Sequence, residues 1–295
     1  MRKVVVLLVV AGFFHLSYSQ EKKRYSVEEN PHADRVAFSY SASSGSCEIK
    51  PTSHKSLVNI YENSINVGDD ATFNTYLSNG VQIVNYEFFE QKDDGIGQKI
   101  SWGMFKSKSQ EENRQCNIYL SQDTPVRLNL NYGIGNADID LSGLAVEQLK
   151  IKTGSADVNV SCLSGQLNRV KMDTFYVKVD MGELNIDQMS LSNAQHIIAD
   201  IGFGNLIMNF GEQNYTGSTI NANVGAGSMK IQIAKKDMPV IIHVNNSPLC
   251  KVKLTKNFHE IRDNVFVNEA YSEKSENVLS FNVGVALGNI TFVER

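Results

Sequence analysis

Proline is scarce, five in 295 residues, and tryptophan occurs once. Lys and Arg number 28 against 32 Asp and Glu. That balance excludes a strongly basic nucleic-acid binder and electrostatic adsorption to anionic lipid. The four cysteines, Cys47, Cys116, Cys162 and Cys250, form no C-x-x-C pair, so a zinc site of the usual spacing is not indicated. His259-Glu260 does not extend to H-E-x-x-H, and there is no G-x-S-x-G elbow and no P-loop. Gly133-Ile134-Gly135 lacks the third glycine of a dinucleotide fingerprint and any helix after it. No sustained helical periodicity follows residue 19. These absences leave no catalytic set and no cofactor.

At 42% hydrophobic residues the chain can fill an ordinary core, and disorder is excluded. Arg2 and Lys3 precede an apolar run over residues 4–14, and Ser17-Tyr18-Ser19 sets small residues before Gln20. This is the layout of a secretory signal peptide cut after residue 19, and the run is too short to span a bilayer. Losing Arg2 and Lys3 moves the net charge from −4 to −6. No later stretch is long and apolar enough to cross a membrane as a helix, so the mature protein is expected to be exported, to the periplasm or the cell surface. Each cysteine alternates in phase with apolar neighbours and is expected to face inward. Buried free thiols and one or two disulfides both stay open.

The strongest signal is a repeat. Residues 128–141 read Leu-Asn-Leu-Asn-Tyr-Gly-Ile-Gly-Asn-Ala-Asp-Ile-Asp-Leu, and residues 220–233 align with them without a gap. Residues 197–210 and 281–292 fit the same frame, a fainter copy starts at Phe38, and degenerate copies start at Leu149 and Val170. Each copy is two alternating runs, hence two half-buried strands, joined by a glycine corner. The corner residues are Gly133, Gly135, Gly154, Gly202, Gly204, Gly225, Gly227 and Gly288. A sharp bend or positive φ is tolerated where Cβ is absent. A period near 21 residues is too short for a strand–helix–strand crossover and suits one coil of a solenoid. The expected fold is therefore all-β, a parallel β-solenoid of about 21-residue coils with a less regular N-terminal β segment. The expected organisation is a signal peptide over 1–19, a β-rich segment over 20–119 and the solenoid over 120–295. Within 20–119, strands are expected at 58–67, 72–77 and 81–89, with a hairpin at Ser78-Asn79-Gly80. Polar loops are expected at 90–95 and 106–115.

The stretch from Pro125 through Asn129, Gly133, Gly135, Asp138 and Leu144 carries a resemblance, as do Thr153-Gly154-Ser155-Ala156-Asp157 and the closing run 277–290. Over roughly residues 120–294 the chain resembles bacterial toast-rack and adhesin-like β-solenoid domains, related to the C-terminal domains of cell-wall-active-antibiotic response proteins. The resemblance implies the fold and an envelope location, and carries over no catalytic residue.

Three surface residues stand out. Asp138 and Asp157 each sit in a Gly-x-Ala-Asp frame, so consecutive coils are expected to bring two carboxylates together, as a Ca²⁺ or acid–base pair or as a solvated face. Trp102 is either a ligand platform or an aromatic packed at a sheet end. Asn129, Asn131, Asn136, Asn205, Asn221, Asn223, Asn282 and Asn289 occupy matching frames and suit side-chain ladders. The functional expectation is a non-enzymatic adhesin-like or envelope-associated protein presenting a long side face to a glycan or protein. The alternatives are a carbohydrate-active enzyme on the same scaffold and an envelope-stress accessory protein.

Overall fold

The computed structural model describes residues 21–64, 71–88, 115–212, 217–234, 237–245 and 247–294. The expected leader, Trp102, and the loops at 90–95 and 106–114 lie outside the described residues.

Among the described residues sixteen strands join one sheet. Seven are long rungs: β2 (Arg35–Thr52), β7 (Val126–Asp140), β8 (Val146–Ser161), β9 (Met172–Asp187), β10 (Ala194–Asn209), β11 (Ser218–Ile233) and β16 (Leu279–Glu294). They stack in parallel in the order β2-β7-β8-β9-β10-β11-β16. Among the described residues the only helical piece is a four-residue 3-10 turn, Met189–Ser192. The fold is the expected parallel β-solenoid.

Each rung bends once, and the burial pattern records it. In β7, Leu128, Leu130 and Tyr132 face inward, then Ala137 and Ile139 do. The inward set changes from even to odd numbers, which alternation alone forbids. In β10 the same switch separates Ile197, Ala199 and Ile201 from Leu206 and Met208. A positive-φ glycine absorbs the extra residue, for example Gly204 at φ 140° and Gly227 at φ 145°. The chain therefore turns a corner while keeping its apolar side inside. Buried Leu141, Leu144, Met189, Leu191 and Phe210 in the return segments close the coils, and both limbs share one core with them. Buried Asn168 ties three returns together. Its amide donates to the Val146 and Ser192 carbonyls at 2.7 and 3.0 Å and accepts from the Val146 N–H at 2.9 Å.

The register corrects one repeat. Phe175, not Val170, stands opposite Leu149 and Ile197. The β9 corner is accordingly Gly182, at φ 134°. Thr174-Phe175-Tyr176, which a copy starting at Val170 would set at the corner, lies in the first limb.

The remaining strands close the two ends in related ways. At the N-terminal end β5 (Val81–Phe88) pairs with the first limb of β2 and β6 (Gln115–Ser121) with its second limb. Together they form a split rung. β4 (Ala71–Ser78) covers β5 through the Asn79-Gly80 hairpin, both residues at positive φ. β3 (Ser56–Ser64) and then β1 (Glu21–Glu28) extend β6 antiparallel. At the other end β12 (Val240–Asn245) and β13 (Cys250–Leu254) form a split rung on β16. β15 (Val265–Asn268) and β14 (Phe258–Arg262) continue from β12. The C-terminal strand is not an edge: β16 lies between β11 and the β12/β13 rung. Glu294 is buried and accepts from Asn268 Nδ2 at 3.0 Å instead of guarding an open edge.

None of the four cysteines is in a disulfide. Cys47 and Cys116 stand opposite each other on β2 and β6. Cys47, Cys116 and Cys162 are buried, and Cys250, on the terminal rung, is half-buried but packs against the same core with Val252 and Leu254, so all four face inward as expected. Burial pushes the Cys47 and Cys162 thiols up to about 12 and raises Cys250 as well. Only the thiolate attacks. At about pH 8 a thiol reagent should modify Cys250 first in the native protein and all four in denaturant, read by intact mass. Equal native labelling of Cys47 or Cys162 would contradict this packing.

Candidate functional site

Parallel stacking converts each outward position into a row along the solenoid. On the first limb Asn129, Asn221 and Asn282 share a row, and Asn282 Nδ2 donates to Asn221 Oδ1 at 3.0 Å. Asn131 and Asn223 belong to the next row, where Asn223 Nδ2 donates to Asp200 Oδ1 at 3.2 Å. On the second limb Asn136, Asn205 and Asn289 align, and the Ser228 hydroxyl donates to Asn205 Oδ1 at 2.5 Å.

Asp138 and Asp157 both lie on the outer face of the second limb but not in one row. Asp138 stands opposite Asn159 and Glu48, and Asp157 opposite Asn136. The shared Gly-x-Ala-Asp spelling misleads because β8 turns at Ala156 without a positive φ. Each carboxylate has a structural partner. Asp138 accepts from Asn159 Nδ2 at 2.8 Å. Asp157 accepts from the Glu183 N–H at 2.9 Å, where the β8–β9 register has no pair. Among the described residues no three His, Cys, Asp or Glu side chains are grouped to hold a metal ion.

The corner itself carries a feature that glycine counting alone does not show. Two residues before the bend, Ser43, Gly133, Gly154, Asp180, Gly202, Gly225 and Ala286 occupy successive rungs. The stacking demands glycine at most of them: a Cβ on Gly202 would lie 2.3 Å from the Asp180 carbonyl oxygen, and one on Gly225 2.5 Å from that of Gly202. The consequence is a shallow valley whose floor is glycine at Gly133, Gly154, Gly202 and Gly225 and is interrupted by the exposed Asp180 carboxylate. Six inter-strand steps make it about 29 Å long at roughly 4.8 Å each.

Its two walls differ in chemistry. On one side stand Ser41, Asn131, Lys152, Lys178, Asp200 and Asn223. On the other, in the position just before the bend, stand Ile134, Ser155, Met181, Phe203, Ala226 and Leu287. Alternation would hide these last residues, but the corner turns them out: Met181 is 48%, Phe203 62% and Leu287 54% exposed. At its low-numbered end the valley deepens into a cleft of about 560 Å³ between β2, β7, β8 and β9. Ser43, Asn131, Gly133, Gly154, Lys152, Lys178 and Asp180 line it. Tyr132 and Thr153 lie beneath, and neither buried hydroxyl has a hydrogen-bond partner among the described residues. Burial, with further contributions from Cys47, Asp138 and Asp157, raises the Tyr132 phenol well above its ordinary value, so it stays protonated. A second depression of about 350 Å³ near Gln188, Asn209 and Glu212 is lined by no cation and no aromatic ring among the described residues.

The two limbs also differ in charge over the same coils. On β8 and β9 the first limb presents Lys150, Lys152 and Lys178 together with Glu147, Asp173 and Asp180, a balanced set. The second presents Asp138, Asp140, Asp157, Glu183 and Asp187 over β7 to β9. Lys178 is bridged to Asp180 at 3.2 Å. Lys152 is exposed and has no ion-pair partner among the described residues.

The geometry defines the class, a bent-rung parallel β-solenoid closed by split rungs. Residues 84–182, from β5 to the β9 corner, match the family model described as N-terminal domain of toast_rack, DUF2154. This agrees with the resemblance read from the glycine corners, although the match begins earlier and ends sooner than the stretch that carried it. Two solved structures are similar. One is a cell-adhesion candidate from Clostridium sporogenes ATCC 15579, at 14% identity and TM-score 0.46, covering 94% of this chain and 100% of that one. The other is an adhesin candidate from Bacteroides fragilis NCTC 9343, at 11% identity and TM-score 0.34, covering 94% and 98%. No curated protein matches the chain. No helix among the described residues is long and apolar enough to cross a membrane.

Proposed function

We propose that this is an exported, non-enzymatic, adhesin-like binding protein that takes an extended surface glycan along the corner valley. The observation that supports the reading is the valley's pair of unlike walls, Lys, Asn and Asp on one side and Met181, Phe203 and Leu287 on the other. A sugar chain has the matching chemistry, hydroxyls on its edges and C–H groups on its ring faces. Exposed apolar side chains in register are uncommon on a solvated surface, and a contiguous apolar strip marks an interaction site. Solenoids use such side faces because contacts spread over many coils.

A panel of immobilised glycans should capture the protein, and Phe203→Ala should weaken capture by about tenfold, equivalent to ~1.4 kcal/mol. Phe203 is exposed and its removal leaves no cavity, so the variant should melt as the parent does. Absence of binding across the panel, or binding indifferent to Phe203, would overturn the proposal.

A further inference from the structure

We infer that the glycan bound along the valley is polyanionic and that Lys152 and Lys178 hold its acidic groups over the bare floor of Gly133 and Gly154. This rests on the glycan reading above and names the chemistry of its ligand.

Lys152 and Lys178 stand directly opposite each other on β8 and β9, about 4.8 Å apart at the backbone. Two like charges directly opposite across a sheet disfavour that pairing, and an anion seated between them removes the repulsion. Among the described residues Lys178 is bridged to Asp180 and stands opposite Asp200 on β10, whereas Lys152 has no ion-pair partner. The cleft lining thus carries a net positive charge on a chain whose formal charge is −4. Lys150, one outward position away, adds to it.

The position is selective as well as charged. Elsewhere along the same wall the residues are Ser41, Asn131, Asp200 and Asn223, neutral or acidic. The lysines coincide with the cleft, where the glycine floor lets a bulky ring approach the backbone. An ammonium on a flexible stem suits an acidic group whose position varies along a polymer. Carboxylate and sulfate share this chemistry, and the experiment separates them. The Lys178–Asp180 pair is exposed and such pairs contribute little, so a ligand acid competes with Asp180 at small cost.

The test is binding of polygalacturonate, its full methyl ester and dextran sulfate to the chain beginning at residue 20, by calorimetry at low and moderate salt. Polygalacturonate should bind at least tenfold more tightly than the ester, and added salt should erode that difference. If dextran sulfate binds at least as tightly as polygalacturonate, the acid recognised is a sulfate; weaker binding assigns a carboxylate. The double variant Lys152→Gln, Lys178→Gln should abolish the preference for the charged polymers while leaving the ester within about twofold. Asp180→Asn should strengthen polyanion binding several-fold. Lys230→Gln with Lys253→Gln, on the other limb, should change nothing. Equal binding of acid and ester by the parent, or an unaltered preference in the lysine variant, would overturn this inference alone. Failure of all three polymers to bind would overturn it together with the glycan reading.

Discussion

Gly204→Ala yields no folded protein, whereas Gly165→Ala folds and loses only about 1–2 kcal/mol. Both glycines have positive φ, 140° and 68°, so conformational preference alone does not separate them. Space does. A Cβ on Gly204 would lie 1.8 Å from the Gly182 carbonyl oxygen, and one on Gly165 meets nothing within 4 Å. To admit the methyl at Gly204 the two rungs must part by more than 1 Å, breaking the ladder on which both limbs depend. The corner row is a stack, so Gly227 and Gly288, with approaches of 1.7 and 1.8 Å, should behave as Gly204 does. Circular dichroism and urea titration of the soluble fraction decide the matter, and a cooperatively folded Gly204→Ala protein would refute the stacked-corner geometry.

Deletion from Leu279 onward should be as severe, and deletion of β1 should not be. β16 pairs with β11 on one side and with β12 and β13 on the other. It buries Phe281, Val283, Val285, Ile290 and Phe292. At about 1.5–3 kcal/mol for each buried side chain, these five contribute about 8–15 kcal/mol, on the scale of a whole domain's stability. Their loss also leaves β12 paired with β15 alone and takes from β13 the strand it pairs with. Among the described residues β1 pairs only with β3; Val27 is buried, and the half-buried Tyr25 packs against Phe73 and Tyr86. A shortened protein ending at residue 278 should be insoluble or protease-sensitive, while one beginning at residue 29 should melt cooperatively. Cooperative melting of the former would show that β16 is an edge strand after all.

Much of the architecture was legible because the corner imposes a spelling. Gly133-Ile134-Gly135, Gly202-Phe203-Gly204 and Gly225-Ala226-Gly227 repeat one frame because the first glycine makes room for the neighbouring rung and the second supplies the positive φ. β8 and β9 depart from it, with Ala156 at one bend and Asp180 before the other, and there the pattern led the reading astray. Framing β9 from Val170 sets Asp173 opposite Lys152; the hydrogen-bonded register sets Lys178 there. The basic pair was therefore invisible. The exposed middle residue of the corner was equally hidden, because strict alternation assigns Phe203 to the interior and only the bend turns it out. Insertion of β16 between earlier elements left no local trace, since pairing partners distant in the chain are not encoded by periodicity.

Hydroxyl-radical footprinting with and without polygalacturonate tests the valley most directly, because its apolar wall carries two oxidisable residues, Met181 and Phe203. The account predicts that saturating polymer protects Met181 and Phe203 while Tyr61 on β3 and Tyr119 on β6, remote from the valley wall, oxidise at their unliganded rates. Protection of the tyrosines with Met181 and Phe203 unchanged would contradict it.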